Sequence, residues 1–322
     1  MAMDTPFRFG IVSEVTTREE WVALARRSEA LGYSTLLVGE HPSFGGTGPI
    51  AAAMAAADAT TSLRVGWHVL ANGFRNPVLL AQEAATIDVL SGGRLELGIG
   101  AGWLRTDYEA LGIPFPPPGV RVDRLAEAIP LIKRLLGTDA VTHTGAHYQV
   151  QDLDLMPKPL QHPHPPLFVG GAGRRMLSLA AREADIVSLD AASTVEGTKD
   201  LASRTPDATA RQVEWVRQAA GDRFAELELH IQVGDLAVTP DRLSAAEEIV
   251  ASLRDFPATV ASNADAVSAE DVLASPSALI GTVEHIVQEL LERRARYGVS
   301  YITMYADQID AFAPVVARLA GT

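Results

Sequence analysis

The chain has 322 residues, 47% of them hydrophobic and 21% charged, enough to bury a large core. It contains no cysteine, which excludes disulfides, thiolate metal sites and a cysteine nucleophile and suits a cytoplasmic protein. A net charge of −13 without a basic stripe argues against nucleic acid as a partner, and the longest apolar run, IAAAMAAA at 50–57, is too short to span a bilayer.

In chain order, FRFGIVSEV (7–15) reads as a strand. Thr17-Arg18-Glu19-Glu20 makes a capping box opening a helix that ends at Gly32. A strand at 34–41 and an Ala-rich helix at 49–60 follow. LRVGWHVLA (63–71) is the third strand, and Asn76-Pro77 caps a helix through Leu90. RLELGIG (94–100) is the fourth strand, and after the loop FPPPG a helix occupies 121–136. Residues 140–153 read as a hairpin turning near Gly145, an insertion in the alternation. Strands at 166–173, 185–190, 228–236 and 299–306 then alternate with helices ending at Glu183 and at 206–220, 241–255, 269–275 and 281–297, with one more closing the chain. Eight strands alternating with helices predict a (β/α)8 TIM barrel with insertions, one domain over 1–322, rather than an open doubly wound sheet.

In such a barrel the working groups stand at the C-terminal ends of the strands. Glu14, Glu40-His41, His68 to Asn72, Gly100 to Trp103, Gly170 to Gly173, Asp190 and Tyr305 hold those positions, a set rich in Gly, aromatic and polar residues that suits a flat anionic ligand more than a metal. The GGAG of Gly170, Gly171, Ala172 and Gly173, followed by Arg174, reads as a phosphate cradle at a helix start, with a plain turn as the alternative. A side chain at Gly171 is expected to fill the anion's place. The alternating glycines of ELGIGAG serve either a turn or a close ligand approach. They resemble a methyltransferase loop, but their place after the fourth strand, not the first, goes against it. His41 has the chemistry of a proton donor. His143, His147, His162 and His164 lack a third ligand at metal spacing and read as surface residues, and Asp107 and Glu109 as an acidic helix start.

The stretches GEH (39–41), VLANGFRNPVLLAQEAATIDVLSGGRLELGIGAGW (69–103), DYEALGIPF (107–115), KPLQHPHPPLFVGGAGRRMLSLAAREADIVSL (158–189) and GVSYITMY (298–305) resemble the luciferase-like flavin- and deazaflavin-dependent oxidoreductases, especially their coenzyme F-420 branch. The resemblance covers nearly the whole chain and implies a (β/α)8 barrel with a tricyclic ring across its mouth. It places Gly100, Ala101 and Gly102 beside that ring, with His68, Val69 and Asn72 on a bulge that in many members carries a non-prolyl cis peptide, here expected between His68 and Val69. His41 with Glu40 would be catalytic, and Glu14, Trp103 and Tyr305 would line the substrate pocket. The implied activity is hydride transfer between F-420 and a small organic molecule. FMN with O₂ as a monooxygenase, or a non-catalytic flavin-binding protein, are the alternatives. The 24 arginines against 3 lysines look like a GC-rich genome and tilt the expectation to F-420. A homodimer is expected, since the family commonly pairs its barrels. Three departures stand out. Trp103 replaces the glutamate proton donor of members that oxidise sugar phosphates, Glu40 stands where Asp is frequent, and His68 is bulkier than usual.

Overall fold

The computed structural model describes residues 5–14, 17–44 and 46–322; Val15 of the expected first strand lies outside them. Eight parallel strands form the barrel: β1 (Arg8–Ser13), β2 (Thr35–Val38), β3 (Arg64–Trp67), β4 (Leu95–Gly100), β5 (Leu167–Gly171), β6 (Ile186–Leu189), β7 (Glu228–Val233) and β8 (Val299–Tyr305). Each pairs with its sequence neighbours and β8 pairs with β1, so the sheet closes on itself as predicted. Around it pack helices α1 (Arg18–Ala30), α2 (Pro49–Ala59), α3 (Pro77–Leu90), α4 (Arg105–Ala110), α5 (Pro118–Leu136), α6 (Arg174–Glu183), α7 (Pro206–Ala220), α8 (Arg242–Arg254), α9 (Ala269–Ala274), α10 (Val283–Tyr297) and α11 (Ile309–Leu319).

The local signals act as expected. The Thr17 hydroxyl accepts from the Glu20 amide at the start of α1, though the Glu20 carboxylate accepts from that same hydroxyl instead of completing the expected capping box, and Asn76 accepts from the Val78 amide with Pro77 in the first turn of α3. Gly298 ends α10 with φ +74, a left-handed conformation that glycine adopts without penalty. The 140–153 insertion is an antiparallel hairpin, Val141–Thr144 against Gln149–Leu153.

The third strand is bulged. Gly66 faces Glu96, and the next pairing is Leu70 with Ile99, so residues 67–69 oppose only 97–98, one extra residue on that strand. The His68–Val69 bond within it is cis, as expected. The fourth strand makes room for this detour. A Cβ on Gly98 would lie 1.6 Å from the Trp67 carbonyl oxygen, and one on Gly100 would lie 2.8 Å from Val69 Cγ2. The side chains missing from ELGIG are therefore removed for the neighbouring strand.

Two stretches depart from the sequence expectation. The strand read as 228–236 breaks at Gly234. Asp235–Val238 leaves the barrel and pairs with Ala278–Gly281, where α8 and α9 cover it with a small core of its own, including Ala246, Val250, Val272 and Ile280. In addition, the loop after the fourth strand contains the short helix α4 where only an acidic helix start was read.

The barrel floor is closed by charge. Arg8 donates to Glu96 at 2.6 Å and to Glu228 at 2.6 and 2.7 Å, and Arg64 donates to Glu96 at 2.9 Å. Burial disfavours the charge on Glu96, but the two guanidinium groups outweigh it and hold its carboxyl below the ordinary range. Tyr301 lies under the Arg8 guanidinium and donates to Thr35 at 2.9 Å. Phe168, Val12, Leu37 and Ile186 fill the layer above.

Candidate active site

The C-terminal strand ends open into a cleft of about 1100 Å³. It is lined by nearly all the strand-end residues singled out in the sequence: Glu14, Glu40, His41, His68, Val69, Gly100 to Trp103, Gly170 to Gly173 and Tyr305. Asn72 and Arg174 are the exceptions. Asn72 is buried and donates from its side-chain amide to the Tyr148 hydroxyl of the hairpin at 3.0 Å, facing a separate small cavity. Arg174 is exposed and turned away. The next residue, Arg175, a further 100° around the helix, lines the cleft and is held by Asp123 and, at 3.3 Å, by the Gly119 carbonyl.

His41 is half-buried, with its ring 5.3 Å from Phe44 and 5.6 Å from Trp103, the latter edge-on. Its Nδ1 lies 2.8 Å from Asp107 Oδ2. Asp107, buried at the start of α4, also accepts from the Ser43 amide at 3.0 Å and the Ser43 hydroxyl at 2.6 Å. Burial works against its charge, yet the hydrogen bonds from His41 and Ser43 prevail and hold its carboxyl below the ordinary range. An ionised partner at Nδ1 assigns the ring proton to that nitrogen. Nε2, which makes no hydrogen bond among the described residues, is then the nitrogen left without a proton.

Glu40 faces a different task. It is buried, ion-paired to Arg75, and accepts from the Ala71 amide at 2.7 Å, so its carboxylate anchors the chain just past the bulge. Inward of the bulge, the His68 ring lies tilted against Phe168 at 5.2 Å and His230 at 5.1 Å. His230 is fully buried, with Nδ1 2.8 Å from the Ser188 hydroxyl and Nε2 2.9 Å from that of Thr303. Burial drives both imidazoles toward the neutral form, His68 down to about 4 and His230 well below its ordinary value.

That depression makes a prediction. A histidine whose pKa falls on folding binds fewer protons folded than unfolded, so its stabilisation is full above its unfolded pKa near 6.5 and is lost as pH falls toward about 4. Thermal unfolding of His68→Gln is therefore expected to show a flatter pH dependence than wild type between those values. An equally steep profile in the variant would remove His68 from the account.

In the GGAG segment the glycines differ in role. A Cβ on Gly171 would lie 2.4 Å from Met176 Cγ, so a larger residue there disturbs the packing of α6 before it meets any anion, contrary to the sequence expectation. Gly173 is the open position. It caps α6 with no side-chain hydrogen bond, and a Cβ on it would meet nothing within 4 Å. The first amides of α6 are thus left bare beside the cleft, where the helix dipole favours an anion.

Sequence reasoning missed Asp107 as the partner of His41, because the two lie 66 residues apart. It also missed Lys199, which is paired with Asp190 and stands 4.9 Å from the Trp103 ring. As one of only three lysines in the chain, Lys199 carried a signal that composition alone offered. His143 lies 3.0 Å from Glu127, and no cluster that could hold a metal occurs among the described residues. No described helix is long and apolar enough to cross a membrane.

The sequence profile of the family described as luciferase-like monooxygenase matches residues 3–301. An FMNH(2)-dependent dimethylsulfone monooxygenase of Pseudomonas putida is 35% identical over 44% of this chain and 38% of its own length. An F420-dependent glucose-6-phosphate dehydrogenase of Amycolatopsis mediterranei is 33% identical over 51% of each chain. The chain thus spans about half the length, or less, of these curated relatives. An F420-dependent secondary alcohol dehydrogenase solved with an F420-acetone adduct superposes with a TM-score of 0.79 over 98% of this chain and 99% of that one. At 20% identity that likeness shows the shared fold.

Proposed function

We propose, from the premise that this chain belongs to the luciferase-like monooxygenase family, that it is an F-420-dependent oxidoreductase acting on a small organic substrate. The observation that carries the reading is the pairing, in one cleft, of the His41–Asp107 couple with the bare start of α6. The residues fit a flat anionic cofactor. The cleft exceeds the roughly 300–1,000 Å³ usual for one small ligand, which leaves room for a ring system and a substrate together. When bound, the deazaflavin supplies the hydride chemistry at its central ring. Gly173 and the first amides of α6 would hold an anionic group, while Val69 and Ala101 form part of the wall. Asp107 fixes the Nδ1 proton of His41, and Nε2 takes or gives the proton that accompanies hydride movement. Trp103 closes that side of the cleft with an apolar face, so a sugar phosphate is not carried over from the Amycolatopsis relative.

The preference for F-420 rests on the arginine-rich, lysine-poor composition and on the family likeness. The dimethylsulfone monooxygenase favours a second reading, an FMN-dependent monooxygenase using O₂ on the same site. Fluorescence titration of the purified protein with F-420 and with FMN separates the two. Tighter F-420 binding is expected, and tighter FMN binding overturns the first reading in favour of the second. In the same titration Gly173→Glu, which adds a negative charge at the helix start where a Cβ meets nothing within 4 Å, is expected to weaken the preferred cofactor at least about tenfold, or about 1.4 kcal/mol. Unchanged affinity in the folded variant would return the loop to a plain helix-capping turn.

A further inference from the structure

Beside the main cleft lies a second cavity of about 250 Å³, walled by the 113–116 loop, Gly73, Ala101 and Tyr108. Two arginines three residues apart on α5, Arg121 and Arg124, line it. Other guanidinium groups around the site are matched to carboxylates: Arg75 to Glu40, Arg175 to Asp123 and Arg204 to Asp235. These two are not. Arg121, buried, donates to the carbonyls of Gly102 at 3.0 Å and Pro116 at 2.5 Å and covers the Phe115 ring at 4.0 Å. Arg124 makes no hydrogen bond or ion pair among the described residues, and its Nε is buried without a partner. A buried donor left in that state is destabilising, and more so when charged. In a chain of net charge −13, two cations without a carboxylate partner beside one small cavity concentrate positive potential there.

We propose that this cavity is an oxyanion subsite, completed by a phosphate- or carboxylate-sized group that the Arg124 fork binds and Arg121 flanks. The planar guanidinium suits either anion in two-pronged geometry. At roughly 30 Å³ per water, the cavity holds such a group with part of its hydration, and it falls below the size usual for a whole cofactor. Ala101, Tyr108 and Arg121 line both this cavity and the main cleft. The anion is therefore either a free ion or the charged end of a molecule whose body lies in the cleft. The subsite does not depend on which cofactor the cleft takes.

Calorimetric titration of the full chain with inorganic phosphate, at fixed ionic strength and in the Gly173→Glu background that silences the α6 start, isolates this cavity. Saturable binding is expected, weakened at least tenfold by adding Arg124→Gln and less by Arg124→Lys, which keeps the charge but not the fork. Absence of saturable phosphate binding, or an affinity untouched by Arg124→Gln, overturns the proposal. Because phosphate alone is the probe, failure of the cofactor reading does not enter the result. Displacement of bound phosphate by F-420 or FMN assigns the anion to the cofactor, and simultaneous binding assigns it to a free ion or substrate; both outcomes keep the subsite.

Discussion

Replacing His41 with alanine is expected to lower the single-turnover rate by about 10²- to 10⁴-fold, the usual worth of a positioned acid or base, while cofactor affinity changes little. The side chain stands in the cleft with one nitrogen committed to Asp107 and the other free, so its loss removes a proton route without removing a strand or a packed core residue. Asp107→Asn is expected to fall between the variant and wild type, because asparagine keeps a hydrogen bond to the ring but no longer dictates which nitrogen carries the proton. Stopped-flow reduction or oxidation of the bound cofactor reads both variants. A His41→Ala rate within a few-fold of wild type would move the proton role to another cleft residue, with Glu14 and Tyr305 next in line.

Gly98→Ala is expected to be the most destabilising single methyl addition in the barrel. The new Cβ would sit 1.6 Å from the Trp67 carbonyl oxygen, and because that atom belongs to the bulged backbone, no side-chain rotation relieves the contact. Overpacking of a well-filled interior costs about 1–3 kcal/mol, and a backbone collision belongs at or beyond the upper end of that range. Thermal unfolding should show a drop of several degrees, at about 2–4 °C per kcal/mol for large domains, or no soluble protein at all. Gly173→Ala, where the added methyl meets nothing within 4 Å, is the matched control and should unfold close to wild type. If both variants unfold alike, the close approach of the third and fourth strands is not what Gly98 serves.

These two glycines show where the sequence could be read and where it could not. Local chemistry was legible: Thr17 and Asn76 cap the helices that follow them, Gly298 ends α10, and Gly145 turns the hairpin, because each signal acts within a few residues. The run ELGIGAG announced a close approach but not to what, since its partner lies in another strand. The same holds for Asp107. In its own helix it reads as an acidic first-turn residue, and only closure of the barrel brings it to His41. The break at Gly234 was hidden because GDLAV continues an apolar strand pattern, and where the pattern finds its hydrogen-bond partners is decided by Ala278–Gly281 forty residues later. The third-strand bulge was anticipated at 68–72 through the family likeness, which supplied long-range register that periodicity lacks; the structure places it at 67–69 with its cis bond at His68–Val69, and Asn72 lies in the turn beyond.

The segment that leaves the barrel after Gly234 carries a consequence for how such a protein changes over time. Leu236 and Leu279 tie it to the barrel core, but Ala246, Val250, Val272 and Ile280 form a small core of their own, and Ile249, Leu253, Phe256 and Ser275 from this segment form part of the cleft wall. His41, Asp107 and the start of α6, by contrast, are fixed by the barrel strands and the turns that leave them. A substitution in the small core can therefore reshape that part of the cleft wall while His41, Asp107 and the start of α6 keep their spacing. The division lets selectivity drift, or be selected in a library confined to 239–277, at little risk to the chemistry, in the way that an interchangeable jaw is fitted to a fixed vice.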